Sequence, residues 1–156
     1  MKNIFFPDEE VSINDLYFMC YMIERIARRL HVHNADVVNA IGSKELTRLI
    51  CCAGVLHAEN PLNVEDRWIA DYSLKKGNFD ITNVNPDLVE KIPEPLQMGG
   101  VYQRLISDTL SEDENFADAM IRVYNDPICQ IIDNYNASAY YEPSYVVARA
   151  YRQGGF

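Results

Sequence analysis

The sequence predicts an all-α protein, a compact multi-helix domain of about seven to eight short helices. Apolar residues recur with the period of a helical face, N-cap residues precede these runs, and Gly or Pro separates them. The chain has 156 residues, of which 48% are hydrophobic and 24% are charged. This composition is typical of a globular protein, with one domain or two small ones that share a core.

The first predicted helix begins after Ser12, where Asp15 completes a capping box. Its main apolar stripe has helical spacing and comprises Leu16, Tyr17, Cys20, Ile23, Ala27 and Leu30. A second apolar row contains Met19, Met22 and Ile26. A helix that is apolar on two sides is either central to a core or pressed against another chain. We therefore treat these three residues as a candidate protein interface.

Two helices are predicted next. Asn34 can cap a helix over residues 34–41, which Gly42 ends. Ser43 can then cap a helix over residues 44–56, whose apolar residues face inward.

A fourth helix is expected after a break at Pro61. Asn63 can cap it, and acidic residues near its start and lysines near its end suit the helix dipole. Gly77 ends it. Trp68 lies on its apolar face, and we expect this side chain to be buried against the first helix.

Residues 78–98 contain three prolines and are predicted to connect two helical modules. Gly99 and Gly100 are interpreted as a flexible start to the second module. Helices are expected after them over residues 101–110, 116–124, 127–135 and 143–152. The predicted organisation is a four-helix N-terminal module (1–77), a Pro-containing connector (78–98) and a helical C-terminal module (99–156) packed on the first.

The charge is acidic and unevenly distributed, with a formal net value of −9. Residues 1–77 carry nine Lys/Arg and eleven Asp/Glu, whereas residues 78–156 carry five and twelve. Phosphate binding depends on clustered positive charge, so nucleic acid is a disfavoured partner. The second half of the chain would favour a basic partner.

The first residues lack the apolar segment of a signal peptide, and no apolar run is long enough to span a bilayer. The four cysteines, at positions 20, 51, 52 and 129, show no C-x-x-C spacing. We expect them to be reduced, buried side chains in a cytoplasmic protein that does not contact a membrane.

Residues 26–41 resemble a helix-turn-helix and provide one alternative function, a DNA-binding regulator. Arg28, Arg29 and His33 are the candidate DNA contacts. The second helix of this pair has no Arg or Lys, however, and Asp36 would repel phosphate. We expect weak or absent binding to duplex DNA at physiological salt.

No local motif indicates catalysis, a cofactor or a metal. The sequence has no nucleophile elbow, P-loop, dinucleotide fingerprint or H-E-x-x-H zinc motif. His31 and His33 are two residues apart, but no third metal ligand stands near them. An enzyme whose site is assembled from scattered residues stays open as a further alternative.

Tyrosines are concentrated near the C-terminus, where six of the ten lie between residues 124 and 151. Protein interfaces favour tyrosine, because it offers large contact area and a hydroxyl group. Four of them join the candidate interface: Tyr135, Tyr140, Tyr141 and Tyr145. The competing interpretation is that these rings cover the core edge of a small domain.

Residues 16–77 resemble a small bacterial helical domain family of unknown function. The resemblance lies in the run Phe18–Glu24, the Ala27/Leu30 spacing, Val37-Val38 and above all Leu49–His57. Genes of this family often neighbour genes for ADP-ribosyltransferase-like putative toxins. The resemblance implies no catalytic residues.

The expected function is a non-catalytic protein-binding module, an antitoxin-like or regulatory partner of an enzyme encoded beside it. The partner is another protein or a second copy of this chain. No cofactor is expected.

Overall fold

The computed structural model describes residues 1–156, and it confirms the predicted all-α class. It contains eight α-helices, one 3-10 helix and no strand. The helices are α1 (Ile13–Leu30), α2 (Asn34–Cys51), α3 (Ala53–Leu56), α4 (Pro61–Asp71), α5 (Pro95–Asp108), α6 (Phe116–Tyr124), α7 (Ile128–Ile132) and α8 (Ser144–Gln153), with the 3-10 helix at Ala139–Tyr141.

Helix α1 is the centre of the fold. Ser12 and Asp15 form the predicted capping box, and His31 ends the helix in the left-handed conformation. Helices α2, α3, α4 and α5 all pack on α1. Met19, Met22 and Ile26 are fully buried. Their assignment to a protein interface is therefore wrong: the second apolar row is covered by the chain itself.

Helix α2 is kinked at Gly42, where the helix over residues 34–41 was predicted to end. Gly42 has a φ of 80° and a ψ of 164°, outside the helical region. Ser43 does not act as the predicted N-cap, because its hydroxyl donates to Asp118 at 2.6 Å. The second part ends at Cys51, and the short α3 follows as a separate turn.

Helix α4 begins earlier than the sequence suggested. Asn60 is its N-cap, with its side chain accepting a hydrogen bond from Leu62 N, and Pro61 occupies the first turn. Proline is tolerated there because the first N–H groups of a helix have no intrahelical partner. The helix ends at Asp71 instead of Gly77. Trp68 is 1% exposed and meets Phe18 of α1 edge-on, which confirms its predicted burial.

Helix α5 begins at Pro95, so Gly99 and Gly100 lie inside it and are not a flexible start. A Cβ atom on Gly99 would lie 2.9 Å from the Tyr21 backbone. Only glycine permits this approach, which sets the crossing of α1 and α5.

Both halves contribute to one hydrophobic core. A single cluster of 39 buried apolar residues runs from Val11 to Ala150. Helices α6 and α8 pack on α5, and α6 also packs on α2. Between Tyr72 and Glu94 the chain forms no helix or strand. No helix combines the length and apolar character needed to cross a bilayer.

Candidate functional site

A cluster of buried polar side chains lies between α1 and the second half of the chain. Glu24, near the middle of α1, is 1% exposed. Its Oε1 accepts hydrogen bonds from Arg28 Nε at 3.1 Å and from the Tyr135 hydroxyl at 3.0 Å. Its Oε2 accepts from Asn34 Nδ2 at 2.8 Å. Since a buried charge is costly unless it is paired and hydrogen-bonded, these three donors make the position of Glu24 tolerable.

Arg28 completes the cluster and faces inward. Its NH2 group donates to the carbonyl oxygen of Pro93 at 2.7 Å and to the Tyr135 hydroxyl at 3.1 Å. This guanidinium therefore links α1 to the segment before α5 and to Tyr135, in the segment after α7. The Arg28 guanidinium is bound to partners within the chain and is not free to bind a phosphate.

The other two candidate DNA contacts are also engaged within the chain. Arg29 forms an ion pair with Asp66 at 2.7 Å. The His33 ring is exposed and stacks on Phe79 with 3.7 Å between ring centroids. The structure does not bring Arg28, Arg29 and His33 together as one row of free donors.

Asp133 is a second carboxyl group close to this cluster, at the end of α7. Its Oδ1 accepts a hydrogen bond of 2.6 Å from the Tyr102 hydroxyl. Burial, and then the nearby Glu24 carboxylate, raise the pKa of Asp133 well above its usual range. Two carboxyl groups at one buried place thus have different environments: Glu24 has three donors, and Asp133 has one.

The buried thiols near the cluster are protonated and are poor nucleophiles. Burial raises the pKa of Cys20 and of Cys129 to about 12. The Cys129 thiol donates to the carbonyl oxygen of Val123 at 3.0 Å. Both thiols are protonated at neutral pH, whereas a nucleophilic cysteine needs a lowered pKa. The fourth cysteine, Cys52, is half-buried, not buried as predicted.

A cavity of about 280 Å³ opens beside the cluster, between the first turn of α2 and residues 124–133. Three carboxylates line it, from Asp36, Asp126 and Asp133, together with the side-chain amides of Asn34, Asn125 and Gln130. No Lys or Arg lines it. We call it the acidic cavity. No group of three or more His, Cys, Asp or Glu is arranged to hold a metal ion.

In each carboxyl group of the acidic cavity, one oxygen accepts a hydrogen bond from the chain. Asp36 Oδ2 accepts from His33 N at 3.0 Å, and Asp126 Oδ1 accepts from Ile128 N at 2.9 Å. Asp133 uses Oδ1 for Tyr102. The second oxygen of each group receives no hydrogen bond from the chain. The arrangement can therefore accept hydrogen bonds from a cationic or multi-donor group.

The C-terminal tyrosines separate into two pairs. Tyr135 and Tyr140 are 3% and 5% exposed, so their assignment to an interface is wrong; they help to cover the core. Tyr141 and Tyr145 are 64% and 69% exposed. Tyr141 lies against Tyr140, with 4.1 Å between ring centroids, and with Leu88 it borders a cavity of about 580 Å³. We call the exposed residues Leu88, Tyr141 and Tyr145 the tyrosine surface; Leu88 and Tyr141 line this cavity, and Tyr145 does not.

Sequence reasoning missed the polar cluster and the acidic cavity. The one local signal was Glu24 itself, a charged residue that stands among the apolar residues of α1. Its partner Tyr135 could not be identified from the sequence, because it is 111 residues away in the chain.

Comparison with known proteins adds no relative: no protein-family model, curated protein or solved structure matches the chain.

Proposed function

We propose that the protein is a non-catalytic protein-binding module, an antitoxin-like or regulatory partner of an enzyme encoded beside it. The observation that carries the proposal is the tyrosine surface. Leu88, Tyr141 and Tyr145 are 66%, 64% and 69% exposed. Large exposed rings beside a concave surface are typical of protein interfaces. With Met19, Met22 and Ile26 buried, this surface is what remains of the predicted interface.

The charge of the second half indicates the chemistry of the partner. Residues 78–156 hold five Lys/Arg against twelve Asp/Glu, and both the tyrosine surface and most of the acidic cavity belong to this part. Complementary charge accelerates association and disfavours wrong partners. A basic protein surface is therefore the proposed partner, and the resemblance of residues 16–77 directs the search to the products of neighbouring genes in a bacterial cytoplasm.

The alternatives receive less support. A DNA-binding regulator would need Arg28 and Arg29 free for phosphates, yet both engage carboxylates of their own chain. An enzyme with a cysteine nucleophile would need a lowered thiol pKa, whereas burial raises the pKa of Cys20 and of Cys129.

Co-expression with the products of the neighbouring genes tests the proposal. We expect one of them to co-purify as a complex of defined mass in size-exclusion chromatography with light scattering. The double variant Tyr141→Ala/Tyr145→Ala should weaken that complex by about tenfold or more, as for interface anchors. A matched control is Val55→Ala/Leu62→Ala, which removes two exposed apolar side chains of α3 and α4 and should change affinity by less than about twofold.

The same measurement separates the outcomes. A dimer of the chain alone that Tyr141→Ala/Tyr145→Ala dissociates would identify the partner as a second copy. A strictly monomeric chain that captures none of the neighbouring products would contradict the proposal, and so would a complex that both double variants weaken equally.

A further inference from the structure

The acidic cavity carries more hydrogen-bond acceptors than the chain satisfies. Asp36, Asp126 and Asp133 come from α2, the α6–α7 link and the end of α7, so three separate elements present carboxylates to one space. Each has one oxygen held by the chain and one oxygen without a donor. Because burial keeps Asp133 protonated, Asp36 and Asp126 place two unengaged carboxylate oxygens beside a space of about 280 Å³.

A buried amide provides an independent observation. Asn34 lines the cavity and is only 4% exposed. Its Nδ2 donates to Glu24 at 2.8 Å, which fixes the orientation of the amide, and its Oδ1 receives no hydrogen bond. No fully enclosed side-chain nitrogen or oxygen of the protein lacks a partner, so this oxygen is open to the cavity. The chain therefore leaves this acceptor oxygen free for a ligand or for water.

Acceptors without donors at an acidic cavity favour a cationic ligand with several donors. The Arg28 guanidinium of the polar cluster is already bound to Glu24, Pro93 and Tyr135. The cavity lies just below the usual size range of small-molecule pockets, roughly 300–1,000 Å³. It therefore suits one side chain better than a nucleotide or a whole metabolite.

Arginine matches this space better than lysine. Its planar guanidinium presents five N–H donors and is weakly hydrated, which favours buried ion pairs. The acceptors here come from several directions, whereas a lysine offers three donors from one point.

We propose that the acidic cavity receives an arginine side chain of the partner protein, with the guanidinium donating to Asn34 Oδ1 and to the free oxygen of Asp126. This inference rests on the proposed function, because it names the chemical group through which the partner is recognised.

Titration of the full chain with acetyl-arginine amide, followed by ¹H–¹⁵N NMR, tests the cavity directly. We expect saturable shifts at the amides of residues 33–36 and 125–133, with millimolar affinity, since a single side chain makes few contacts. Acetyl-citrulline amide has nearly the same shape without the charge and should cause no saturable shift. Acetyl-lysine amide with a free ε-amine should bind at least about threefold more weakly.

Substitutions of the cavity carboxylates complete the test. Asp126→Asn keeps the oxygen that accepts from Ile128 N and should weaken binding of acetyl-arginine amide by about fivefold or more. Asp113→Asn removes an exposed carboxylate outside the cavity and should leave the affinity unchanged. Equal shifts with the arginine and citrulline compounds, or equal effects of the two substitutions, would overturn the inference.

Failure of this inference is distinguishable from failure of the proposed function. If a neighbouring-gene product forms a complex that Tyr141→Ala/Tyr145→Ala weakens but Asp126→Asn does not, the module binds its partner without the cavity, and only the arginine proposal is wrong. If the arginine compound binds in the cavity and no complex forms, the cavity serves a free guanidinium ligand and the protein-partner assignment is wrong.

Discussion

The two sides of α1 are covered in different ways. Helix α4, from the same half of the chain, covers one side with Trp68 and with Glu65, which pairs with Arg25 at 2.6 Å. Helix α5, from the other half, covers another side through Gly99, whose position leaves no room for a Cβ atom. The α4 side is held by a large aromatic residue, and the α5 side by close backbone approach.

The two buried glutamates, Glu65 and Glu24, differ in the same way: one is bound within a single half of the chain and the other by residues of both halves. Glu65 is held by arginines of α1, within one half of the chain. Glu24 is held by Asn34 and Arg28 from the first half and by Tyr135 from the second. The first half thus has its own internal contacts, while α1 is also the surface on which the second half is assembled. The absent side chain of Gly99 and the Tyr135 hydroxyl are two of the contacts that join the halves, together with the Arg28–Pro93 hydrogen bond and the packing of α6 on α2.

The largest effect is expected on the α4 side. Trp68→Ala should reduce the free energy of unfolding by about 3–5 kcal/mol, because a fully buried aromatic side chain is replaced by a cavity. Urea unfolding followed by far-ultraviolet circular dichroism measures it. Leu62→Ala, on the same helix but 54% exposed, is the control and should cost less than about 0.5 kcal/mol. A Trp68 effect as small as the control would show that α4 is not an essential cover of α1.

The second largest effect on the free energy of unfolding is expected for the Tyr135 hydroxyl, which joins the halves. Tyr135→Phe leaves Glu24 with two donors and takes an acceptor from Arg28, so we expect a loss of about 1.5–3 kcal/mol, as for hydrogen bonds to charged groups. Tyr145→Phe removes an exposed hydroxyl and should be neutral. If both substitutions are neutral, the cluster does not stabilise the contact between the halves.

Gly99 and Gly100 offer a sharper test, because they are neighbours in the same helix. Gly99→Ala places a Cβ atom against the Tyr21 backbone and should cost about 1–3 kcal/mol. Gly100→Ala meets the flexible end of Arg104 first, so the gain in helix propensity, up to about 1 kcal/mol, should make it neutral or stabilising. Thermal unfolding of both variants measures the two changes in stability. Equal changes would contradict the close approach of α1 and α5.

The smallest effect concerns pH. The raised pKa of Asp133 means that the folded state keeps a proton that the unfolded state releases, so stability should fall as pH rises from about 4 through the pKa of the folded protein. Asp133→Asn removes this penalty while it keeps an acceptor for Tyr102. The variant should match the wild type near pH 4 and be the more stable protein at pH 8. Urea unfolding across this range measures the difference, and a difference that shrinks with rising pH would contradict the assignment.

Helix positions could be predicted from the sequence because their signals are local. Ser12 with Asp15 and the left-handed break at Gly42 appear where they were expected. The starts of α4 and α5 were wrong for a shared reason. A proline can end one segment or occupy the first turn of the next helix, and Pro61 and Pro95 do the latter.

The candidate site could be predicted only in part. Tyr141 and Tyr145 were identified from composition, but composition does not separate them from the buried Tyr135 and Tyr140. The acidic cavity required knowing that the α6–α7 segment meets the first turn of α2. That contact follows from packing of the whole chain and leaves no local pattern in either segment.

Helix α1 forms one core with both halves of the chain, so Met19, Met22 and Ile26 are not available to a partner. Urea unfolding can be followed in one sample by Trp68 fluorescence, which reports on the first half, and by the NMR amide signals of α5 to α8. We predict a single cooperative transition with the same midpoint for both signals. Loss of the α5–α8 signals at lower urea, while Trp68 stays buried, would show two independent units and would contradict the account.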